Sequence, residues 1–173
     1  MTYALEELTD SHQDAFLQML QDFQENDPHC FETHFARPKP WSPLGFQSFL
    51  RQCAKERLDW RPGPNKTSQT RYVLIDGDAT IVGFAILRFP LDTKLEAAGG
   101  NVVFAVPPKF RKQGFGALTL NRMLFEAARA GMARLLVTCP KDNLPARKCI
   151  EKNRGEKESE DAAPSLRYWI PLR

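Results

Sequence analysis

The residues best suited to chemistry lie between Val106 and Ala117, where the chain reads Val-Pro-Pro-Lys-Phe-Arg-Lys-Gln-Gly-Phe-Gly-Ala. The apolar run before them, 102–106, reads as a buried strand. Pro107 and Pro108 stop it, because neither can donate to a sheet ladder. Arg-x-x-Gly-x-Gly follows, and an amphipathic helix begins at once. A glycine-rich turn between a strand and a helix start can hold a phosphate: its backbone N–H groups point outward and the helix dipole favours negative charge. Gly114 and Gly116 let the backbone approach a ligand without an intervening side chain. The turn is not a Walker loop, which needs Gly-Lys-Ser/Thr where this chain has Gly116-Ala117-Leu118. Nor is it a dinucleotide fingerprint, because the third glycine is missing.

A second polar constellation covers 138–153 and opens Thr-Cys-Pro-Lys-Asp-Asn. Asn143 can cap a helix, face a ligand, or do both. Lys141 and Lys148 can meet phosphates or simply form a solvated basic face. His29, Cys30 and His34 fit no metal-ligand template and show no fourth donor, so no metal is expected. Cys30, Cys53, Cys139 and Cys149 lack Cys-x-x-Cys spacing and read as reduced thiols of a cytoplasmic protein. The net charge of +3 is too mild to argue for nucleic acid and suits one polyanionic ligand. No apolar run approaches the ~20 residues of a membrane span, and the N-terminus lacks the basic and apolar regions of a signal peptide. The 173 residues, 42% hydrophobic, are expected to form one domain over 1–173.

The elements that must position these residues follow from periodicity. Residues 3–8 suggest a first strand. Asp10 or Ser11 can cap a helix with Ala15, Phe16, Met19, Leu20 and Phe23 on one stripe. From 27 to 43 four prolines suggest an irregular loop. Ser42-Pro43 then reads as a cap and first-turn proline, opening a helix with Phe46, Phe49, Leu50 and Cys53 on one face. A second loop covers 60–70. Strands over 72–75 and 81–87 are joined by the hairpin signal Asp76-Gly77-Asp78. A long connection, 90–100, leads to the strand at 101–106. The helix after the glycine turn carries Ala117, Leu120, Leu124 and Ala127, and Gly131 ends it. A strand at 134–138, a helix at 143–153 and a last strand at 166–172 complete a mixed α/β order, with antiparallel hairpins feeding one β-α-β unit.

Val-x-Pro-x-x-Arg-x-x-Gly-x-Gly resembles the acyl-CoA loop of the GNAT (Gcn5-related) N-acetyltransferase superfamily. Asn143-x-x-Ala146 with Ile150 resembles that family's Asn-x-x-Ala/Ser-x-x-x-Ile segment, and the element order is similar along essentially the whole chain. Gly99-Gly100, Thr70-Arg71-Tyr72 and Arg167-Tyr168-Trp169-Ile170 resemble one bacterial subgroup. The resemblance implies a single α/β domain whose mostly antiparallel sheet has a central splayed parallel strand pair flanked by helices. It implies acetyl-CoA as cosubstrate and direct transfer to a primary amine, with no acyl-enzyme at Cys139 or Cys149. The pyrophosphate would lie on the backbone of Arg111, Lys112, Gln113, Gly114, Phe115, Gly116 and Ala117, with charge added by Arg111 and Lys112. The pantetheine arm would lie beside Phe104 and Val106 like an extra strand and near Asn143. The N–H of Val106 would hold the developing oxyanion.

Two family features are missing. The tyrosine expected seven residues after the Asn is Ile150, and 101–104 contains no glutamate to act as base. The helix-ending glycine expected near 154 is Arg154, with Gly155 next. Glu96 and Asp92 are the alternative bases and Tyr168 the alternative acid; each also reads as a structural or surface residue. The acceptor pocket would be walled by 24–70 and 88–100. There Phe31, Phe35, Trp41 and Trp60 offer apolar surface or loop anchors, and Glu25, Asp27 and Glu32 offer charge for a cationic amine. The expected partner is a small-molecule amine, with no nucleic acid and no membrane, and a homodimer is left open. A peptide or protein amine is the alternative. A non-catalytic acyl-CoA sensor is an alternative of another class, motivated by the missing Glu and Tyr, and a nucleotide-binding protein is a third.

Overall fold

A computed structural model of the chain describes residues 2–35, 41–58, 67–158 and 165–172. Strand β1 (Ala4–Glu7) passes through a 3-10 turn (Asp10–His12) into helix α1 (Gln13–Asn26). The turn is capped by Thr9 rather than by Asp10 or Ser11: His12 Nδ1 accepts from the Thr9 N–H at 3.1 Å. Phe16, Met19, Leu20 and Phe23 form the buried stripe of α1. The expected loop after it is instead a helix, α2 (Pro28–Phe35). Pro28 sits where a missing N–H costs nothing, and Asp27 caps the turn by accepting from the Cys30 N–H at 3.1 Å. Helix α3 (Pro43–Leu58) opens as expected, with Ser42 Oγ accepting from the Gly45 N–H at 3.1 Å. The Pro62-Gly63-Pro64-Asn65 stretch of the expected second loop lies outside the described residues.

Strands β2 (Ser68–Ile75) and β3 (Ile81–Phe89) form the expected hairpin, both longer than the pattern suggested. The expected connection after them contains another helix, α4 (Thr93–Ala98), capped by Asp92, whose Oδ1 accepts from the Leu95 N–H at 2.8 Å. Strand β4 (Val102–Ala105), the glycine turn and helix α5 (Phe115–Arg129) follow. Then come β5 (Arg134–Pro140), α6 (Leu144–Lys152) and two closing strands, β6 (Glu156–Lys157) and β7 (Ser165–Pro171).

The strands form two antiparallel sheets, β1-β2-β3-β4 and β5-β7-β6. Alternation along β3 and β4 splits the core. Ala85, Leu87 and Val102 turn to α5, where they meet Leu120, Met123 and Ala127. Phe84 and Ile86 turn the other way, onto Phe16, Phe23, Phe35 and Phe46 of α1–α3. Gly83 is where α5 crosses β3 most closely: a Cβ there would stand 2.3 Å from Thr119 Oγ1.

Between β4 and β5 the two sheets splay. No ladder joins these strands among the described residues. Their one β-bridge among the described residues lies in the turn before β4, where Gly100 (φ +81°) pairs antiparallel with Val137. Asn101 fastens this root. Its N–H donates to the Leu136 carbonyl at 2.7 Å, and its Oδ1 accepts from the Leu136 N–H at 2.8 Å. Its Nδ2 donates to the Arg88 carbonyl at 3.0 Å.

Candidate functional site

The register of β4 decides which of its groups are free. The Arg88 N–H donates to the Asn101 carbonyl at 2.7 Å, so alternate residues Val103 and Ala105 exchange bonds with β3. The N–H and C=O groups of Val102 and Phe104 therefore point toward β5, across the unpaired gap, and the N–H of Val106 continues that parity. Pro107 cannot extend the ladder, and the chain turns through Pro108–Phe110, a 3-10 turn, into the glycine segment.

That segment is bent twice into the left-handed region, at Lys112 (φ +62°) and Gly114 (φ +89°). Backbone turned this way aims successive N–H groups at one point. Among the described residues, none of the backbone N–H groups from Lys112 to Ala117 donates a hydrogen bond. Arg111, Lys112, Gln113 and Gly114 are exposed, and the first turn of α5 stands behind them. The two glycines differ in purpose. Gly114 supplies the positive φ, with open space where a Cβ would be. Gly116 supplies room: a Cβ there would stand 2.9 Å from Cys149 Sγ of α6.

The scaffold holds this turn from several sides. Phe115 packs edge-on against Tyr3 at 5.1 Å and Phe110 at 6.2 Å, pinning the start of α5. Gln113 Nε2 donates to the Lys109 carbonyl at 3.3 Å. The Lys109 N–H donates to Asp22 Oδ2 of α1 at 3.1 Å. Arg111 folds back: its Nε donates to the Val106 carbonyl at 3.1 Å and its Nη2 to Asp27 Oδ2 at 2.5 Å. Its guanidinium therefore serves the scaffold, and Lys112 remains as the exposed cation of the turn. Burial raises the Asp27 pKa, but Arg111 and the Cys30 N–H outweigh it and hold the carboxyl below its usual value.

The sequence model of the acetyltransferase (GNAT) family matches residues 5–155. The chain belongs to this family. Solved GNAT structures with the same fold include RimL, the ribosomal L7/L12 α-N-protein acetyltransferase in complex with coenzyme A. It is 15% identical, with a TM-score of 0.69 over 99% of this chain and 95% of that one. The spermidine N-acetyltransferase of Vibrio cholerae, in complex with CoA and spermine, is 12% identical, with a TM-score of 0.65 over 98% of this chain and 95% of that one. An acetyltransferase of Salmonella typhimurium that modifies the N-terminal serine of L7/L12 is 15% identical, with a TM-score of 0.66 over 100% of this chain and 96% of that one. No curated protein matches the chain.

Other GNAT positions singled out in the sequence have definite places. Asn143 caps α6, its Oδ1 accepting from the Ala146 N–H at 3.1 Å, and is exposed. Asn153, not anticipated, ties α6 to the glycine turn: its Nδ2 donates to the carbonyls of Ala117 at 3.0 Å and Cys149 at 2.8 Å. Tyr168 is buried in the core with its hydroxyl 3.3 Å from Glu151 Oε1. Asp92 is committed to capping α4. Glu96 is exposed on α4, whose last carbonyls accept from Arg167. Phe31, Phe35 and Trp41 belong to the aromatic core of α1–α3, and Trp41 Nε1 donates to the Phe35 carbonyl at 2.7 Å. Trp60 lies outside the described residues. Burial raises the thiol pKa of Cys139 and Cys149, which disfavours the thiolate a nucleophile would need. Among the described residues no three His, Cys, Asp or Glu side chains come together to hold a metal, and no described helix is long and apolar enough to cross a membrane.

Proposed function

We propose that the chain, acting as one domain, transfers the acetyl group of acetyl-CoA directly to a primary amine of a small molecule. The observation that carries this is the run of N–H groups from Lys112 to Ala117 that donate no hydrogen bond among the described residues, set at the end of a strand whose next edge has no ladder partner among them. A pyrophosphate needs the first; an amide-bearing pantetheine arm needs the second. The backbone of 111–117 would receive the pyrophosphate, with the dipole of α5 behind it and the Lys112 side chain beside it. The arm would add to β4 through the outward groups of Phe104 and the N–H of Val106, with Asn143 at the facing end of α6. The Val106 N–H would steady the charge that develops on the thioester oxygen.

In the reaction a C–N bond forms and the C–S bond breaks; the amine gives up a proton and the CoA thiolate takes one. A lysine-like amine has a pKa of about 10.4, so it must be deprotonated before attack. We assign this step to positioning and solvent-relayed proton transfer. The Tyr168 hydroxyl is buried on Glu151, the Asp92 carboxylate caps a helix, and Glu96 is a surface group, which favours none of them as acid or base. A cytoplasmic setting in a bacterium suits the free cysteines and the bacterial sources of the relatives.

The test is thermal unfolding with and without acetyl-CoA. A ligand at 100 times its dissociation constant adds about 2.7 kcal/mol, roughly 5–10 °C for a chain of this size. Gly114→Glu should abolish the shift and Gly114→Gln should keep most of it, since the backbone strain is common to both and only the charge differs. No shift of the wild type at millimolar acetyl-CoA overturns the reading.

A further inference from the structure

We infer that Arg88 receives an oxyanionic group of the acceptor, so that the acceptor is an amine that also carries a carboxylate or phosphate. This deepens the proposed function and rests on it.

Arg88 stands at the end of β3, directly across from Asn101 at the root of the β4–β5 gap. By strand parity its side chain shares the sheet face of Phe84 and Ile86, the α1–α3 face. Helix α5 covers the opposite face of β4, so an amine attacking an acyl group held along this edge approaches from the side on which Arg88 lies. Arg88 is half-buried, and among the described residues its side chain makes one hydrogen bond, from Nε to Gln69 Oε1, long at 3.3 Å. Among the described residues Nη1 and Nη2 donate to nothing, and no carboxylate forms an ion pair with Arg88.

Its neighbours make the site more positive. Arg71, two residues along β2 from Gln69, is nearly buried on the same face over the ring of Phe49 at 5.1 Å. Glu56 is already taken by Arg71, 2.6 Å from its Nη1. Asp92 caps α4. Burial and the charge of Arg88 lower the pKa of His34 on α2. Burial lowers the pKa of Arg88 and Arg71 lowers it further, outweighing the smaller opposing pull of the Asp92 and Glu56 carboxylates, neither of which pairs with it. A planar guanidinium with two free terminal nitrogens matches a carboxylate or phosphate bidentately. A polycationic acceptor would find repulsion here, and Asp27, which could have attracted one, is held by Arg111.

The experiment is thiol release from acetyl-CoA over matched amines. Amino acids are compared with their carboxamides, and phosphoethanolamine with ethanolamine; spermidine is the polycation. The expected result is a kcat/KM about 10- to 100-fold higher for the oxyanionic member of at least one pair, the range of a charge-assisted bond. Arg88→Met should erase that preference through KM while acetyl-CoA still raises its melting temperature. Arg88→Lys should lie between, and decides alongside the wild-type panel if the Met variant does not fold. Preference for amino acids identifies a carboxylate, and preference for phosphoethanolamine a phosphate. Equal or better transfer to the uncharged partners or to spermidine overturns the inference. So does a preference that survives Arg88→Met, or no turnover of any oxyanionic amine by a protein that acetyl-CoA stabilises. Failure of acetyl-CoA to stabilise the wild type overturns the transferase reading itself.

Discussion

Arg111 shows how a motif residue can be present for a reason other than the one its motif suggests. Its charge could have met a phosphate; instead it joins the end of β4, through the Val106 carbonyl, to the α1–α2 elbow at Asp27. The pair is partly exposed, so its net contribution is about 1 kcal/mol or less. Because the folded-state pKa of Asp27 is depressed, that stability is present above the unfolded value near 3.9 and is lost as pH falls through the folded value. Asp27→Asn keeps an acceptor for the Cys30 N–H and removes the charge. Urea unfolding should therefore show a small deficit for the variant at pH 7 that is smaller at pH 3, where the unfolded carboxyl is mostly protonated. A deficit of equal size at both pH values would mean that Asp27 acts only as a cap. Tyr168 permits an equally direct check. If its hydroxyl serves only Glu151 and Arg147, Tyr168→Phe should leave kcat within a few-fold; a loss beyond about 100-fold, the scale of general acid catalysis, would restore it as the acid.

At the scale of elements, α6 braces the glycine turn. Asn153 bonds the Ala117 carbonyl, and Cys149 fills the space that Gly116 leaves open. Removing the Asn153 amide takes a donor from two part-buried carbonyls, Ala117 and Cys149, so Asn153→Ala should destabilise by about 1–3 kcal/mol and weaken acetyl-CoA affinity by loosening the first turn of α5. The next residue carries strain in the opposite sense. Arg154 ends α6 at φ +64°, a conformation that glycine adopts freely. Arg154→Gly should raise stability by up to about 1 kcal/mol, measurable as a higher melting temperature with unchanged acetyl-CoA binding. These local devices explain what the sequence made legible. Gly114, Asn143 and Ser42-Pro43 act within a few residues of themselves, so spacing reveals them. Helices α2 and α4 were hidden because proline density and shortness mask periodicity, although Asp27-Pro28 and Asp92 are ordinary start signals. The Asp27–Arg111 pair spans 84 positions and Asn153–Ala117 spans 36, and no local pattern encodes such contacts. Arg88 left a trace only as the first charge after the apolar run 81–87.

Across the whole molecule, two antiparallel sheets must stay together while the gap between their adjacent strands stays open. Helix α5 clamps both from one side, since its buried face meets Ala85 and Val102 of one sheet and Leu135 and Ile170 of the other. Asn101, 4% exposed, fastens the root of the gap from within. Its side chain does what a β-ladder would do, bonding the Leu136 N–H on one side and the Arg88 carbonyl on the other. Closure by a side chain at one point, rather than by a ladder, leaves the remainder of the β4 edge available to a bound arm. Asn101→Ala orphans one donor and one acceptor and should cost about 2–4 kcal/mol, or roughly 4–16 °C in melting temperature. It should also release the Leu136 amide to hydrogen exchange ahead of its neighbours in β5, and lower acetyl-CoA affinity as the root loosens. A Leu136 amide that stays protected in Asn101→Ala would mean that α5 alone holds the sheets in register, with the asparagine dispensable to the gap it spans.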